Sequence, residues 1–163
     1  MRKLIYNIED TTYFNPMQEA QRFLLDISFI ATEESLKNHI FPLKTGDRIF
    51  FTGDLGSGKS SYIRTLLRSH FDDDELVVRS PTYTYFQKYG DNIYHFDLYR
   101  LTSYEDFFLI GGEDIIDNPE SICLIEWPEI LGTQIDPTLK IFLEKLSLTE
   151  RKITLFRPDG ATE

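Results

Sequence analysis

At 163 residues, with 41% hydrophobic and 14% aromatic content, the chain is long enough to bury one core without disulfides or a structural metal, and too apolar for a disordered segment. Twenty-seven acidic against 17 basic residues leave a net charge of −10 and a pI near 4.7, which argues against a broad grip on DNA or RNA. The single cysteine, Cys123, excludes a disulfide framework and a thiolate zinc site and fits a reducing cytoplasm, and no apolar run approaches membrane-spanning length.

In chain order, Met1-Arg2-Lys3-Leu4-Ile5-Tyr6 is basic and then apolar, too short for a signal peptide. Pro16 interrupts the first segment, and residues 17–30, with Ala20, Phe23, Leu24 and Ile27, predict a short helix. Thr32-Glu33-Glu34 predicts another, with a threonine N-cap and two acids in the first turn, running through Leu36 and Ile40 toward Leu43 and ending near Pro42 and Gly46. Residues 47–52 are apolar and aromatic between Gly46 and Gly53, which predicts a buried strand.

The next stretch, Gly53-Asp54-Leu55-Gly56-Ser57-Gly58-Lys59-Ser60, fits G-x-x-x-x-G-K-[ST]. Residues 59–69 follow with Ile63, Leu66 and Leu67 at helical spacing. Strand, glycine-rich turn and helix together make a phosphate cradle. Backbone N–H groups of the turn and of the helix's first turn converge on one anionic centre. Asp54, Leu55, Gly56, Ser57, Gly58, Lys59, Ser60 and Ser61 are the predicted nucleotide contacts. Gly56 and Gly58 permit close approach of the backbone, Lys59 supplies a point charge for the terminal phosphates, and the Ser60 hydroxyl is a candidate Mg²⁺ ligand.

Beyond the helix, Phe71-Asp72-Asp73-Asp74-Glu75 reads as a solvated acidic loop and Leu76-Val77-Val78 as a short strand. Residues 83–89 and 93–99, joined by Gly90-Asp91-Asn92, predict a β-hairpin. Ser103 with Asp106 predicts a capped helix over 104–110, stopped by Gly111-Gly112. Residues 122–125 predict a buried strand that holds Cys123 in the core and ends in Glu126-Trp127-Pro128-Glu129. Strand-like runs over 139–146 and 152–156 flank Thr149-Glu150-Arg151, and the residues after Pro158 read as a loose tail.

This alternation predicts an α/β, P-loop NTPase-like fold: a central, mostly parallel sheet with antiparallel additions, flanked by helices. Such sheets bind ligands at the C-terminal ends of their strands, where a second acidic group is expected. Glu126 ends one strand as a Walker-B carboxylate would. Asp97 lies two residues from His95, and so on the same strand face. Each has a plainer alternative, Asp97 pairing with Arg100 and Glu126 capping the turn at Pro128. His95 reads as a hydrogen-bonded strand histidine rather than a catalyst, Trp127 as rim packing, and Arg64, Arg68, Arg79, Lys88 and Arg100 as scattered charges.

Four linked motifs resemble one family. GDLGSGKSS at 53–61, SPTY at 80–83, HFDLYRL at 95–101 and IEWPE at 125–129, in this order, are similar to the TsaE (YjeE) family of bacterial P-loop ATPases required for threonylcarbamoyladenosine modification of tRNA next to the anticodon. The resemblance runs from about Thr32 to Phe156. It divides the chain into an N-terminal extension (1–31), a P-loop ATPase domain (32–157) and a flexible tail (158–163). It implies ATP and Mg²⁺ as cofactors, with Lys59 and Ser60 serving both, and Ser80-Pro81-Thr82 as a switch-like loop that brings Thr82 to the nucleotide. Trp127 joins the nucleotide contacts. Asp97 and Glu126 become the functional acids of the metal and hydrolysis site, with Lys59 beside them. The implied partner is a TsaB–TsaD-like complex, tRNA being reached only indirectly, and the implied location is the cytoplasm. A small-molecule kinase is the competing reading, although no arginine-rich lid is visible. A GTPase lacks its Asn-Lys-x-Asp element, and an inactive binding module sits poorly with intact Lys59, Ser60, Asp97 and Glu126.

Overall fold

The computed structural model describes residues 3–6 and 26–156. Its strands are β1 (Lys3–Tyr6), β2 (Asp26–Thr32), β3 (Arg48–Thr52), β4 (Phe86–Tyr89), β5 (Ile93–Asp97), β6 (Ile122–Glu126), β7 (Leu139–Lys145) and β8 (Glu150–Phe156). Its α-helices are α1 (Lys59–Phe71), α2 (Tyr104–Leu109) and α3 (Gly112–Asp117). Among the described residues the strands form one eight-stranded sheet in the order β1-β2-β8-β7-β3-β6-β5-β4. The central block β7-β3-β6-β5 is parallel, as predicted for a P-loop α/β fold. Antiparallel additions come from β4 against β5 and from β8 against β7 and β2, with β1 parallel to β2 beyond them.

Both faces of β3, β6 and β5 are covered, which is why these strands are apolar at consecutive positions rather than alternately. Ile49 and Phe51 of β3 and Ile122 and Leu124 of β6 join the core under α1, with Tyr62, Ile63, Leu66 and Leu67 of the helix. Phe50, Phe96, Cys123 and Ile125 point the other way, toward Phe107 of α2 and Ile116 of α3. Cys123 is buried as expected, and burial pushes its thiol pKa up to about 12. Strand parity fixes the functional geometry. His95 and Asp97 share parity with Ile93, and Glu126 with Leu124, so all three side chains leave the sheet on the α1 face.

Several local predictions are corrected. Residues 26–30, expected to be helical, belong to β2, which pairs with β8 from Ile27↔Leu155 to Thr32↔Glu150; residues 17–25 of that helix lie outside the described residues, as does the tail 158–163. The strand puts Ile27, Phe29 and Ala31 into the core on one face, with Ser28, bonded to Thr154, and exposed Ile30 on the other, and this period-2 pattern prevails over the helical spacing. It also crosses the boundary drawn at residue 31.

The helix expected after Thr32 is a 3₁₀ turn over Ser35–His39. Thr32 is not its N-cap: that residue is Glu34, with no side-chain cap and no acid in the first turn, while Thr32 N donates to Ser35 Oγ at 2.8 Å and Ser35 N to Thr32 Oγ1 at 3.1 Å just ahead of it. Pro42 and the burial of Phe41 and Leu43 in the core then draw the chain out straight.

Leu76-Val77-Val78 is not a strand. The backbone groups of Leu76 are taken locally, its N donating to Asp73 O at 3.2 Å and Arg68 Nε to its O at 3.1 Å. The hairpin is shorter than predicted, because residues 82–85 form a turn closed by Tyr85 N donating to Pro81 O at 2.8 Å. Ser103 caps α2 as predicted, accepting from Asp106 N at 3.3 Å. Gly111 ends that helix at a φ of 82°, but Gly112 immediately starts α3, an element the sequence reading lacked. No helix among the described residues is long and apolar enough to cross a membrane.

Candidate functional site

The loop between β3 and α1 owes its shape to its glycines. Gly53 (φ 145°), Gly56 (φ 77°) and Gly58 (φ 98°) all adopt conformations that side chains disfavour. At Gly53 space is also limiting, since a Cβ would lie 2.5 Å from Leu143 O. Ser57 N donates to Asp54 O at 3.0 Å, closing the turn, and Gly58 passes the chain into the first turn of α1.

A cavity of about 470 Å³ opens over this loop, lined by Gly56, Lys59, Ser60, Asp97, Glu126 and Trp127 among others. Leu55, Ser57, Gly58, Ser61 and Thr82 also line it, whereas Asp54 reaches Lys59 only through its carbonyl. Strand order and parity thus bring the two acids to the loop. β6 is hydrogen-bonded next to β3, and β5 next to β6, with Asp97 paired to Glu126 in register.

Glu126 is buried, and both of its oxygens are engaged. Ser60 Oγ donates to Oε1 at 2.9 Å, and His95 Nε2 lies 2.8 Å from Oε2. An ionised carboxylate only accepts, so Nε2 carries the hydrogen. His95 is fully buried, and among the described residues its Nδ1 has no hydrogen-bond partner. The alternative in which Glu126 only caps the turn at Pro128 has no hydrogen bond to support it.

Asp97 holds a different group. Ser80 Oγ and Thr82 Oγ1 donate to its Oδ2 at 3.2 and 3.4 Å, and Tyr99 N to its Oδ1 at 3.0 Å. It does not pair with Arg100, whose guanidinium lies 4.2 Å from the ring centroid of Tyr83. The hydroxyl-rich 80–82 segment is therefore tied to a cavity carboxylate by side chains alone.

Lys59 is 5% exposed. Its ammonium donates to Gly53 O and Asp54 O at 2.5 and 3.1 Å and lies 4.2 Å from the centroid of the Trp127 ring. Burial pulls its pKa down, opposed in decreasing order by Glu126, Glu129, Asp97 and Asp54. Trp127 reaches this position because its own backbone takes a left-handed turn (φ 56°), an uncommon conformation for a bulky residue. Its ring also meets Tyr99, at 4.9 Å between centroids.

His95 is the hydrogen-bonded strand histidine expected, and its partner is the site acid Glu126, a contact the sequence did not reveal. Arg151 lies not between the two strand-like runs but within β8, where it donates to Ser57 O and Gly56 O at 3.1 and 3.2 Å. The readable signal was an arginine two and four residues before Ile153 and Leu155, and hence on the buried face of its strand. A second cavity of about 410 Å³ adjoins the first at Gly58, Ser61 and Arg151 and runs to Thr32, Leu36 and Leu148. Arg64 reaches Glu33 at its edge, at 2.7 Å.

The family described as Threonylcarbamoyl adenosine biosynthesis protein TsaE matches residues 28–153. The chain belongs to the TsaE family. It is 36% identical over 113 residues to the tRNA threonylcarbamoyladenosine biosynthesis protein TsaE of Rickettsia felis, covering 67% of this chain and 64% of the relative. The protein of the same name from Borreliella burgdorferi is 39% identical over 109 residues, covering 65% of this chain and 77% of that one. The match thus spans somewhat less than two thirds of the Rickettsia felis protein's own length. A crystal structure of YdiB from Bacillus shares the fold, with a TM-score of 0.57 over 81% of this chain and 85% of that one at 21% identity.

Proposed function

We propose that this chain is an Mg²⁺-dependent ATPase, slow on its own, that acts with a TsaB–TsaD-like complex in threonylcarbamoyladenosine modification of tRNA. The observation that carries the reading is the contact between the phosphate-loop hydroxyl and the strand-end acid, Ser60 Oγ to Glu126 Oε1, beside Lys59 in one cavity. Hydroxyl, lysine and carboxylate are the parts that phosphoryl transfer in P-loop proteins requires.

Each side chain has a role that its surroundings support. Lys59 neutralises phosphate charge from a partly water-excluded position, where a cation acts over a low local dielectric. Ser60, Glu126 and Asp97 offer hard oxygen donors suited to Mg²⁺. Among the described residues no three His, Cys, Asp or Glu side chains cluster to hold a metal by themselves, which suits an ion that shares its ligands with phosphates and water. When bound, the ion would neutralise charge on the phosphate oxygens. Glu126, oriented by His95, stands where it can align the attacking water. Asp97 holds Ser80 and Thr82, so this loop is the element that reports the nucleotide state. The adjoining cavity at Ser61 and Thr32 is large enough for the nucleoside, and the absence of Asn-Lys-x-Asp favours ATP over GTP.

A partner is required on two counts. An acidic chain holds tRNA poorly, and among the described residues no arginine is free at the cavity to act as a finger on the γ-phosphoryl group. Exposed Leu55 and Tyr99 line the mouth and would be covered by such a partner. The test is ATP turnover by the chain alone and with the purified TsaB–TsaD pair and tRNA, with association measured in ATP, ADP and no nucleotide. Fast turnover by the lone chain, together with equal association in all three states, would overturn the proposal. ADP release that depends on a small-molecule acceptor would favour a kinase instead.

A further inference from the structure

Arg151 belongs to none of the motifs that define the site. In the sheet register it faces Ala31 of β2 and Lys145 of β7, and it shares strand parity with the core residues Ile153 and Leu155. Its guanidinium is engaged wholly by backbone carbonyls. Nε donates to Ser57 O at 3.1 Å and Nη2 to Gly56 O at 3.2 Å, while Nη1 donates to Ser147 O at 2.9 Å and Glu150 O at 3.0 Å. No carboxylate among the described residues forms an ion pair with it. The loop passes close by: a Cβ on Gly58 would lie 3.7 Å from Arg151 Nε.

We propose that Arg151 is a positioning residue of the nucleotide site, a forked clamp that holds the outer carbonyls of the phosphate loop so that its N–H groups stay aimed at the phosphates. The inference rests on the nucleotide reading above. In a trans peptide the C=O and the following N–H point in opposite directions. The Gly56–Ser57 peptide is held at both ends, its oxygen by Arg151 and its N–H by Asp54 O at 3.0 Å. The next peptide has its oxygen, Ser57 O, on Arg151 as well, which turns the N–H of Gly58 the other way, into the cradle. Without the clamp, the Ser57–Gly58 peptide would be free to rotate and the Gly56–Ser57 peptide would keep only its bond to Asp54 O, and glycine offers little resistance to rotation.

The charge matters too. Arg151 lines both cavities and no carboxylate among the described residues pairs with it, so it adds a positive field at the place where phosphates would bind. Lysine could not replace it, because a single ammonium cannot span carbonyls on the loop and on the β7–β8 turn with one planar fork. Arg151 thereby also ties that turn, at Ser147 and Glu150, to the loop.

The test is calorimetric titration of the full chain and of R151M and R151K with MgADP and with inorganic pyrophosphate, alongside thermal unfolding. R151M should weaken both ligands in parallel by about tenfold or more, the scale of losing a charge-assisted fork. R151K keeps the charge without the fork, and should weaken both by roughly three- to tenfold while staying folded. If R151M does not fold, R151K decides. Affinities within twofold of wild type in a folded variant, even with a lowered melting temperature, would reduce Arg151 to a structural brace and overturn the inference. A loss confined to ADP, with pyrophosphate unaffected, would overturn it too, by moving the residue's role to the nucleoside cavity. Binding of neither ligand by the wild-type chain would sink the nucleotide reading and this inference together. Wild-type binding that is lost in K59A keeps that reading standing even where Arg151 fails.

Discussion

Replacing Glu126 with glutamine separates binding from turnover. The side chain is 3% exposed and accepts from Ser60 on one oxygen and from His95 on the other. Glutamine fills the same volume and keeps one acceptor, while its NH₂ meets whichever partner lies opposite. Facing His95, it needs Nε2 as an acceptor, which the other tautomer provides by moving the hydrogen to Nδ1, now without a partner. Facing Ser60, it needs only a rotated hydroxyl, and Ser60 is exposed enough to bond water. The fold should therefore survive E126Q, with stability changed by about 1 kcal/mol or less. Alanine is different. It strands the fully buried His95 ring, at a cost of about 1–3 kcal/mol, or roughly 3–10 °C in melting temperature for a domain of this size.

In the E126Q protein, nucleotide binding should persist while hydrolysis drops by about 10²-fold or more, the scale of losing a positioned acid–base group. The assay is phosphate release under single-turnover conditions with partners present, paired with a calorimetric ADP titration and a melting curve. Wild-type turnover in a folded E126Q protein would refute the reasoning and shift the role to Asp97.

Three further outcomes follow from the same geometry. Lys59→Ala should lose most nucleotide affinity in calorimetry, since it removes the buried cation of the cradle; unchanged affinity would remove Lys59 from the site. Asp97→Ala removes the carboxylate that Ser80 and Thr82 share, so exchange of the Tyr85 amide, whose bond to Pro81 O closes this loop, should accelerate while exchange in β5 stays slow; unaltered exchange would show that the loop is held by something else. Gly112→Ala would bring a Cβ to 2.3 Å from the ring of the fully buried Phe107. It should cost about 1–3 kcal/mol by overpacking and lower the melting temperature by roughly 3–10 °C, and a melting curve matching wild type would mean that the α2–α3 junction yields more than its packing suggests.

The phosphate loop was legible in the sequence because its chemistry is local. A glycine pattern, a lysine and a hydroxyl lie within eight residues, between an apolar strand and an amphipathic helix, and β3 and α1 formed around it. Cys123 in the core, the Ser103 cap and the strand-end position of Glu126 were legible for the same reason, since each depends on neighbours a few residues away. Where two local signals competed, the sequence could mislead. Residues 26–30 carry both helical and alternating spacing, and only pairing with β8, more than a hundred residues later, decided for a strand.

What remained for the tertiary structure were relations across the sheet. His95 meets Glu126 only because β5 and β6 are neighbours, and Arg151 reaches the loop only because β8 pairs with β7 next to β3. Trp127 covers Lys59 through a left-handed backbone turn that no residue preference favours. Strand order is set by burial summed over the whole chain and by the burial of both faces, quantities that no window of sequence contains. Sequence therefore determined which groups were available for the chemistry, and the sheet decided which of them touch.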